Sequence, residues 1–266
     1  MPIADLSAYK AALIEQRFKC PVPIASTTVV AARPYDCWVA VRPTGVAPTT
    51  AVVPTSSTAG ALSLFNPSSG ATYIVGSSLA AQNRGTYIIA DRLSHQGGLS
   101  GTVTTAQTTN LPTAAITRGS GVGVMIGLTI YTQIGTTATT VTVSYTNSSG
   151  TSGRTSTAVV IGGTGFREAS RMILIPLQAD DVGVNSVESV TLVASTTTAG
   201  NFGVTLFRPL YAIGTDQDSV VREGDFITGW SGGGISVVPD NACLFSLLLS
   251  TSINAAASGA LYLSQS

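Results

Sequence analysis

The sequence predicts an all-β protein: a jelly-roll-like β-sandwich with a short N-terminal helix, an extended Pro/Thr/Ser-rich arm and flanking C-terminal strands. Composition is the first reason. Of 266 residues, 44% are hydrophobic but only 10% are charged, against about a quarter in an ordinary soluble domain. Thr, Ser, Gly and Ala fill the gap, and Thr and Val favour strands while Gly and Ser favour turns. The second reason is a period of two from Val122 to Ile130, where Val122, Val124, Ile126, Leu128 and Ile130 alternate with mostly small residues. Such alternation marks a strand with one buried face. The third is repetition, because similar segments recur between turn signals through residues 112–212, as in sandwiches and jelly rolls.

Four regions follow in chain order. Residues 1–20 read as a helical arm: Leu6, Tyr9 and Leu13 recur at helical spacing with Ile14 beside them, Asp5 suits the N-cap, and Pro21 and Pro23 end the pattern. Such a helix either docks on a neighbour or packs on its own domain. Residues 21–111 form an extended and short-strand region. Its stretch "RPTGVAPTTAVVPTSSTAG" contains Pro43, Pro48 and Pro54, which exclude regular helix and central strand. It reads as a linker or as an arm laid on a partner, flanked by "CWVAV", "ATYIVG" and "GTYIIADRL". Residues 112–212 are the central sandwich. "TVTVSY" buries Val141, Val143 and Tyr145; "SVTLVAS" buries Val190 and Leu192; "NFGVTLFRPLYAI" buries Phe202, Val204 and Leu206. "RMILIPLQ", apolar on both faces, suits a central covered strand, and "TTTAGN" suits a hairpin turn. Residues 213–266 add "REGDFITGW", "GGGISVV", "CLFSLLLS" and "GALYLSQ" as a β extension.

Charge and cysteine content narrow the function. The formal net charge is zero and no basic run occurs, whereas phosphate contacts need Lys and Arg. Nucleic acid is therefore not an expected partner. No apolar run has the length of a bilayer-spanning helix, and the N-terminus lacks a secretion signal, so neither membrane contact nor export is expected. So few charges protect poorly against self-association. That favours a surface buried in an assembly, a homo-oligomer, over a hydroxyl-coated monomer. Cys20, Cys37 and Cys243 are too few and too scattered for a disulfide framework or a zinc site. They read as buried thiols, with a Cys20–Cys37 bridge left open.

The residues that suggest chemistry do not assemble into a motif. "DRLSHQGGLSGTVTTAQTTN" (91–110) holds Asp91, Ser94, the lone histidine His95 and Ser100. A nucleophile elbow needs Gly-x-Ser-x-Gly between strand and helix. Gly98, Leu99 and Ser100 begin it, but Thr102 stands where the last glycine belongs and a β-like run follows. The segment reads as a Gly-hinged loop in which His95 bonds locally or contacts a partner, and no catalytic residue is assigned. Asp216, Asp218, Glu223 and Asp225 miss the EF-hand pattern because Val220 breaks the series. Asp180 and Asp181 beside Gly183 read as a solvated turn, with a loop calcium as the alternative. "GGTGF" (162–166) lacks the P-loop lysine. Trp38, Trp230 and Tyr262 could stack a sugar but read more simply as core or interface anchors. No metal or cofactor is expected, and an enzyme is not.

"DRLSHQGGLSGTVTTAQTTNLPTAAITR", followed by "LQADDVGVNSVESVTLVASTTTAGNFGVTLFRPL", resembles a group of tailed-bacteriophage virion structural proteins, over roughly residues 85–212. The resemblance implies a capsid-associated, decoration or minor structural component, with the major capsid protein or other virion proteins as partners. It carries no catalytic or metal residue. The reading that follows is a decoration protein on the capsid exterior, made in the host cytoplasm, that reinforces contacts between capsomers. Tail, neck or head-fibre components and a carbohydrate-binding attachment module are the alternatives. The residues expected to meet partners are Leu6, Tyr9, Leu13 and Ile14, with His95 in the 91–110 segment.

Overall fold

The computed structural model describes residues 13–20, 32–39, 45–62, 71–111, 116, 118–225, 236–251 and 257–265. The described chain is built from antiparallel strands in three sheets, as the composition and periodicity predict.

The central sheet runs in the order β10 (Met172–Ile175), β6 (Met125–Thr132), β12 (Asn201–Thr215), β4 (Gly85–Leu99), β15 (Leu244–Ser250), β2 (Pro34–Asp36). Its two ends meet. Tyr35 and Arg171 form an antiparallel bridge, and the Asp36 N–H donates to the Ser170 carbonyl at 2.7 Å. The sheet is thus a six-stranded barrel, and closure removes the edges that would otherwise invite pairing with other chains. A barrel this small has little interior room. Gly127 faces inward for that reason, since a Cβ there would lie 2.6 Å from Met172 Sδ.

Two further sheets pack against the outside of the barrel. One contains β5 (Gln107–Leu111), β11 (Val184–Leu192), β7 (Thr139–Asn147), β8 (Arg154–Thr155) and β9 (Val159–Ile161). The alternating residues expected in the core lie between it and the barrel: Ile126, Leu128 and Ile130 face Val141, Val143, Tyr145, Val190 and Leu192, with Phe202, Val204 and Leu206. Val122 departs from the pattern and is 53% exposed at the strand's entry. The other sheet contains β1 (Leu13–Cys20), β16 (Ala257–Gln265), β3 (Thr72–Ala81), β13 (Val221–Asp225) and β14 (Ser236–Val238). It packs Ile74, Leu79, Leu261 and Leu263 against Tyr87, Ile89, Tyr211 and Ile213 of the barrel.

The two 15-residue strands β4 and β12 therefore serve both outer sheets. Bulges make this workable. The register shift between Pro209 and Tyr211 moves the outward residues of β12 from even positions (Phe202, Val204, Leu206) to odd ones (Tyr211, Ile213). Pro209 lacks an N–H, and a bulge is where a strand tolerates that.

Four expectations change. The helical arm is not what residues 13–20 form: Leu13 and Ile14 lie on β1, opposite Ser264 and Leu263 of β16. Leu6 and Tyr9 lie outside the described residues. Pairing with a waiting strand outweighs a weak local helical pattern. The Pro/Thr/Ser segment, where described, lies on its own chain. Pro48 and Val52 bond β4 at Gly97 and His95, along the stretch of β4 that β15 leaves open, and Leu62 bonds Leu244. Residues 91–99 are strand, not a hinged loop. "TTTAGN" is no hairpin, because β11 and β12 belong to different sheets.

Candidate functional site

The buried charged residues gather in and beside the barrel. A bulge at Leu93, between the pairs Ser94–Leu206 and Arg92–Phe207, turns Leu93 outward into the sandwich core. Arg92 and His95 are left in contact with the interior residues Trp38 and Tyr131.

Arg92 is fully buried. Its Nη2 donates to Asp36 Oδ2 at 2.5 Å and its Nη1 to Thr205 Oγ1 at 2.9 Å. Asp36 also accepts from Thr129 Oγ1 at 3.1 Å and from the Trp38 N–H at 3.0 Å. The guanidinium lies over two rings, 4.4 Å from Trp38 and 4.3 Å from Phe245. Burial alone would depress the Arg92 pKa; the facing Asp36 carboxylate more than offsets it, and the net shift is upward. A buried pair survives only when geometry and extra hydrogen bonds repay desolvation. Here two threonines, a backbone N–H and two aromatic faces do so.

His95 sits beside this pair, 1% exposed. Its ring meets Trp38 edge-on at 5.2 Å, and its Nδ1 is 3.1 Å from the Tyr131 hydroxyl. Burial, reinforced by the Arg92 charge, lowers its pKa to about 2. The ring is therefore neutral at every ordinary pH. Burial raises Tyr131 to about 12 and the Cys243 thiol to about 12, which leaves both protonated. A general base needs a pKa near the working pH, and a thiol nucleophile needs its thiolate.

The triad suggested by the sequence is dispersed. Asp91 makes a two-pronged ion pair with Arg118 at 2.9 and 3.0 Å and accepts the Cys243 N–H at 2.9 Å. Ser94 Oγ bonds the Val52 carbonyl, and Ser100 Oγ bonds Thr102 Oγ1. Neither serine touches His95, whose side-chain partner is Tyr131. As for partner contact, His95 lies inside its own chain.

The remaining candidates are similarly engaged. Asp181, in the turn considered for calcium, accepts from Tyr145, Asn147 and Arg154 at 2.5, 2.6 and 2.9 Å. These bonds, that from Tyr145 foremost, hold its carboxyl below the usual range. Among the described residues no group of three His, Cys, Asp or Glu side chains could hold a metal ion. Asp218 caps the Arg84 N–H at 2.8 Å. Trp38 is interior, clamped by Gly45 and Gly60, where a Cβ would lie 2.3 and 2.6 Å from the indole. It is thus a core anchor and no sugar platform. Trp230 lies outside the described residues.

Sequence reasoning did not single out Asp36, Arg92, Arg118, Thr129, Tyr131 or Thr205. One signal was present: in a chain with 10% charge, the pair Asp91–Arg92 inside an otherwise apolar strand pattern is conspicuous. Its partners are distant in sequence, and only closure of the barrel brings them together.

No protein-family model matches the chain, and no curated protein matches it. Among solved structures it is weakly similar to the VP2 subviral particle of infectious bursal disease virus. The identity is 8%, over 96% of this chain and 80% of that one, with a TM-score of 0.17. The Gx strain of the same virus gives 10% identity over 94% of this chain and 82% of that one, with a TM-score of 0.13. TM-scores this low carry no argument about fold or function.

Proposed function

We propose that the chain is a structural protein of a virus particle and, more narrowly, a decoration protein on the exterior of a tailed-phage capsid. In this role it reinforces contacts between capsomers and needs no enzymatic activity. The observation that supports the reading is where the virion-like phrases fall. Residues 85–212 span β4 to β12, and there the groups that could do chemistry are engaged in structural bonds: Asp91 to Arg118, Arg92 to Asp36, His95 to Tyr131. A barrel braced by two outer sheets, with a polar lock inside, suits a rigid cement. Each contact can be modest, since many copies on one shell add their effects. A protein that binds only the assembled shell stabilises it by mass action.

The test is to add purified protein to capsids that lack it, reconstruct the particles and heat them. The expected outcome is density over capsomer boundaries on the exterior and a higher disruption temperature. Density confined to the neck, tail or fibres, or no binding, would overturn the decoration reading.

A further inference from the structure

The seam where the barrel closes carries more positive charge than its surroundings cancel. Arg33 precedes β2, Arg167 lies between β9 and β10, and Arg171 precedes β10. The Arg33 guanidinium carbon is 4.1 Å from the centroid of the ring of Phe166, the residue before Arg167. Arg171 lies near Arg33, its Nη1 donating to the carbonyl of the next residue, Pro34, at 3.0 Å. The acid placed among these cations is Glu168, and its oxygens are already used. They accept the Gly165 and Arg167 N–H groups at 3.0 and 3.2 Å. Arg167 Nε stays 3.8 Å from Glu168, within ion-pair range but beyond a hydrogen bond.

The Nε atoms of Arg167 and Arg171 are buried with no acceptor. Arg171 is only 1% exposed, and burial lowers its pKa to about 10, with Glu168 opposing the fall and Arg33 adding to it. Arg92 shares the unbonded Nε but is paired with Asp36, as a buried guanidinium ordinarily is with an acid. Arg33 is exposed and Arg167 partly so. An incoming anion can therefore reach these two, while Arg171 acts through its field.

We propose that the seam is an oxyanion site, which seats a phosphate or carboxylate group between Arg33 and Arg167. The loop "GGTGF" ends at Phe166 and leads into it, with Gly162, Gly163 and Gly165 at positive φ; Gly162 and Gly163 themselves pack against Thr137, Thr196 and Ala138. Planar guanidinium groups suit both anions. The source is either free phosphate or an acidic side chain of a docked chain.

Calorimetric titration at constant ionic strength distinguishes these sources, with inorganic phosphate in one arm and a hexaglutamate peptide in the other. The expected result is saturable binding in at least one arm. Arg33→Ala and Arg167→Ala should each weaken it on the order of tenfold, the loss of a charge-assisted contact. Arg154→Ala, away from the seam and paired with Asp181, should leave it unchanged. Unfolding midpoints without anion check that each variant is folded. Binding in the phosphate arm alone identifies a free-anion site, and binding in the peptide arm alone identifies a docking contact. The proposal is overturned by no binding in either arm, or by binding that survives the double variant.

Discussion

The two faces of the barrel wall hold cores built on opposite principles. Outside, against β7 and β11, Ile126, Leu128, Ile130, Val141 and Val190 pack as aliphatic side chains in simple alternation. Inside, Arg92, Asp36, Thr129 and Thr205 form a mutually bonded polar set between Trp38 and Phe245, with Arg92 Nε left unbonded. The outer core draws its stability from area removed from water and tolerates changes that conserve volume. The inner one stands on mutual satisfaction, so removal of any member leaves another buried and unpaired. The same strands build both, and their two faces share no chemistry.

The sharpest way to break that contrast is Asp36→Ala. It strands the Arg92 charge inside the barrel and should cost about 3–5 kcal/mol, the usual penalty for half of a buried pair. Urea denaturation measures it. Restoring neutrality with Asp36→Leu and Arg92→Met together should recover much of the loss, and a double variant no better than the single one would refute the polar-lock account. Leu128→Ala in the outer core should cost roughly 2–5 kcal/mol, with no double variant to rescue it and little dependence on pH.

The next effect is acid sensitivity. His95 has its folded pKa lowered to about 2 from 6.5. Below pH 6.5 the unfolded chain takes up a proton that the folded chain refuses. Stability is therefore full above pH 6.5 and falls as pH drops toward 2, by up to about 1.4 kcal/mol per pH unit from this group. Unfolding midpoints at pH 7 and pH 4 should converge in His95→Gln relative to the parent. An unchanged slope would show that His95 is not the acid-sensitive group. The smallest effect belongs to the surface: Arg222→Ala, in a 3.7 Å pair with the exposed Asp216, should shift stability by less than about 0.5 kcal/mol.

What could be read from the chain follows the same divide. The strands of the outer cores announce themselves because one face alternates with small or polar residues, so Val141, Val143 and Tyr145 were predictable one residue at a time. The bulges at Leu93 and at Leu210 were not, since each depends on the partner strand as much as on its own residues. The terminal helix failed for a related reason. Leu13 and Ile14 satisfy a helical spacing, yet β16, more than 240 residues away in the chain, offers them a ladder. The Pro/Thr/Ser segment looked like an arm in search of a partner. The partner is the open edge of β4 in the same molecule.

The candidate site was legible only as an oddity. Asp91, His95 and Ser100 stood close in sequence and invited a catalytic reading. In a strand, neighbours point to opposite faces, so closeness in sequence disperses side chains as often as it gathers them. Of their true partners, Arg118 and Tyr131 come from two other segments, and Thr102 from the next turn.

The sequence by itself determined the class of the fold, the identity of most strands and the apolar outer core, because those depend on local periodicity and composition. The tertiary structure alone decided that the central sheet closes, that Asp36 meets Arg92, and that His95 is sealed in a neutral state. Those features depend on contacts between residues 36 positions apart and more, and on the loss of water that follows closure. No window along the chain contains them.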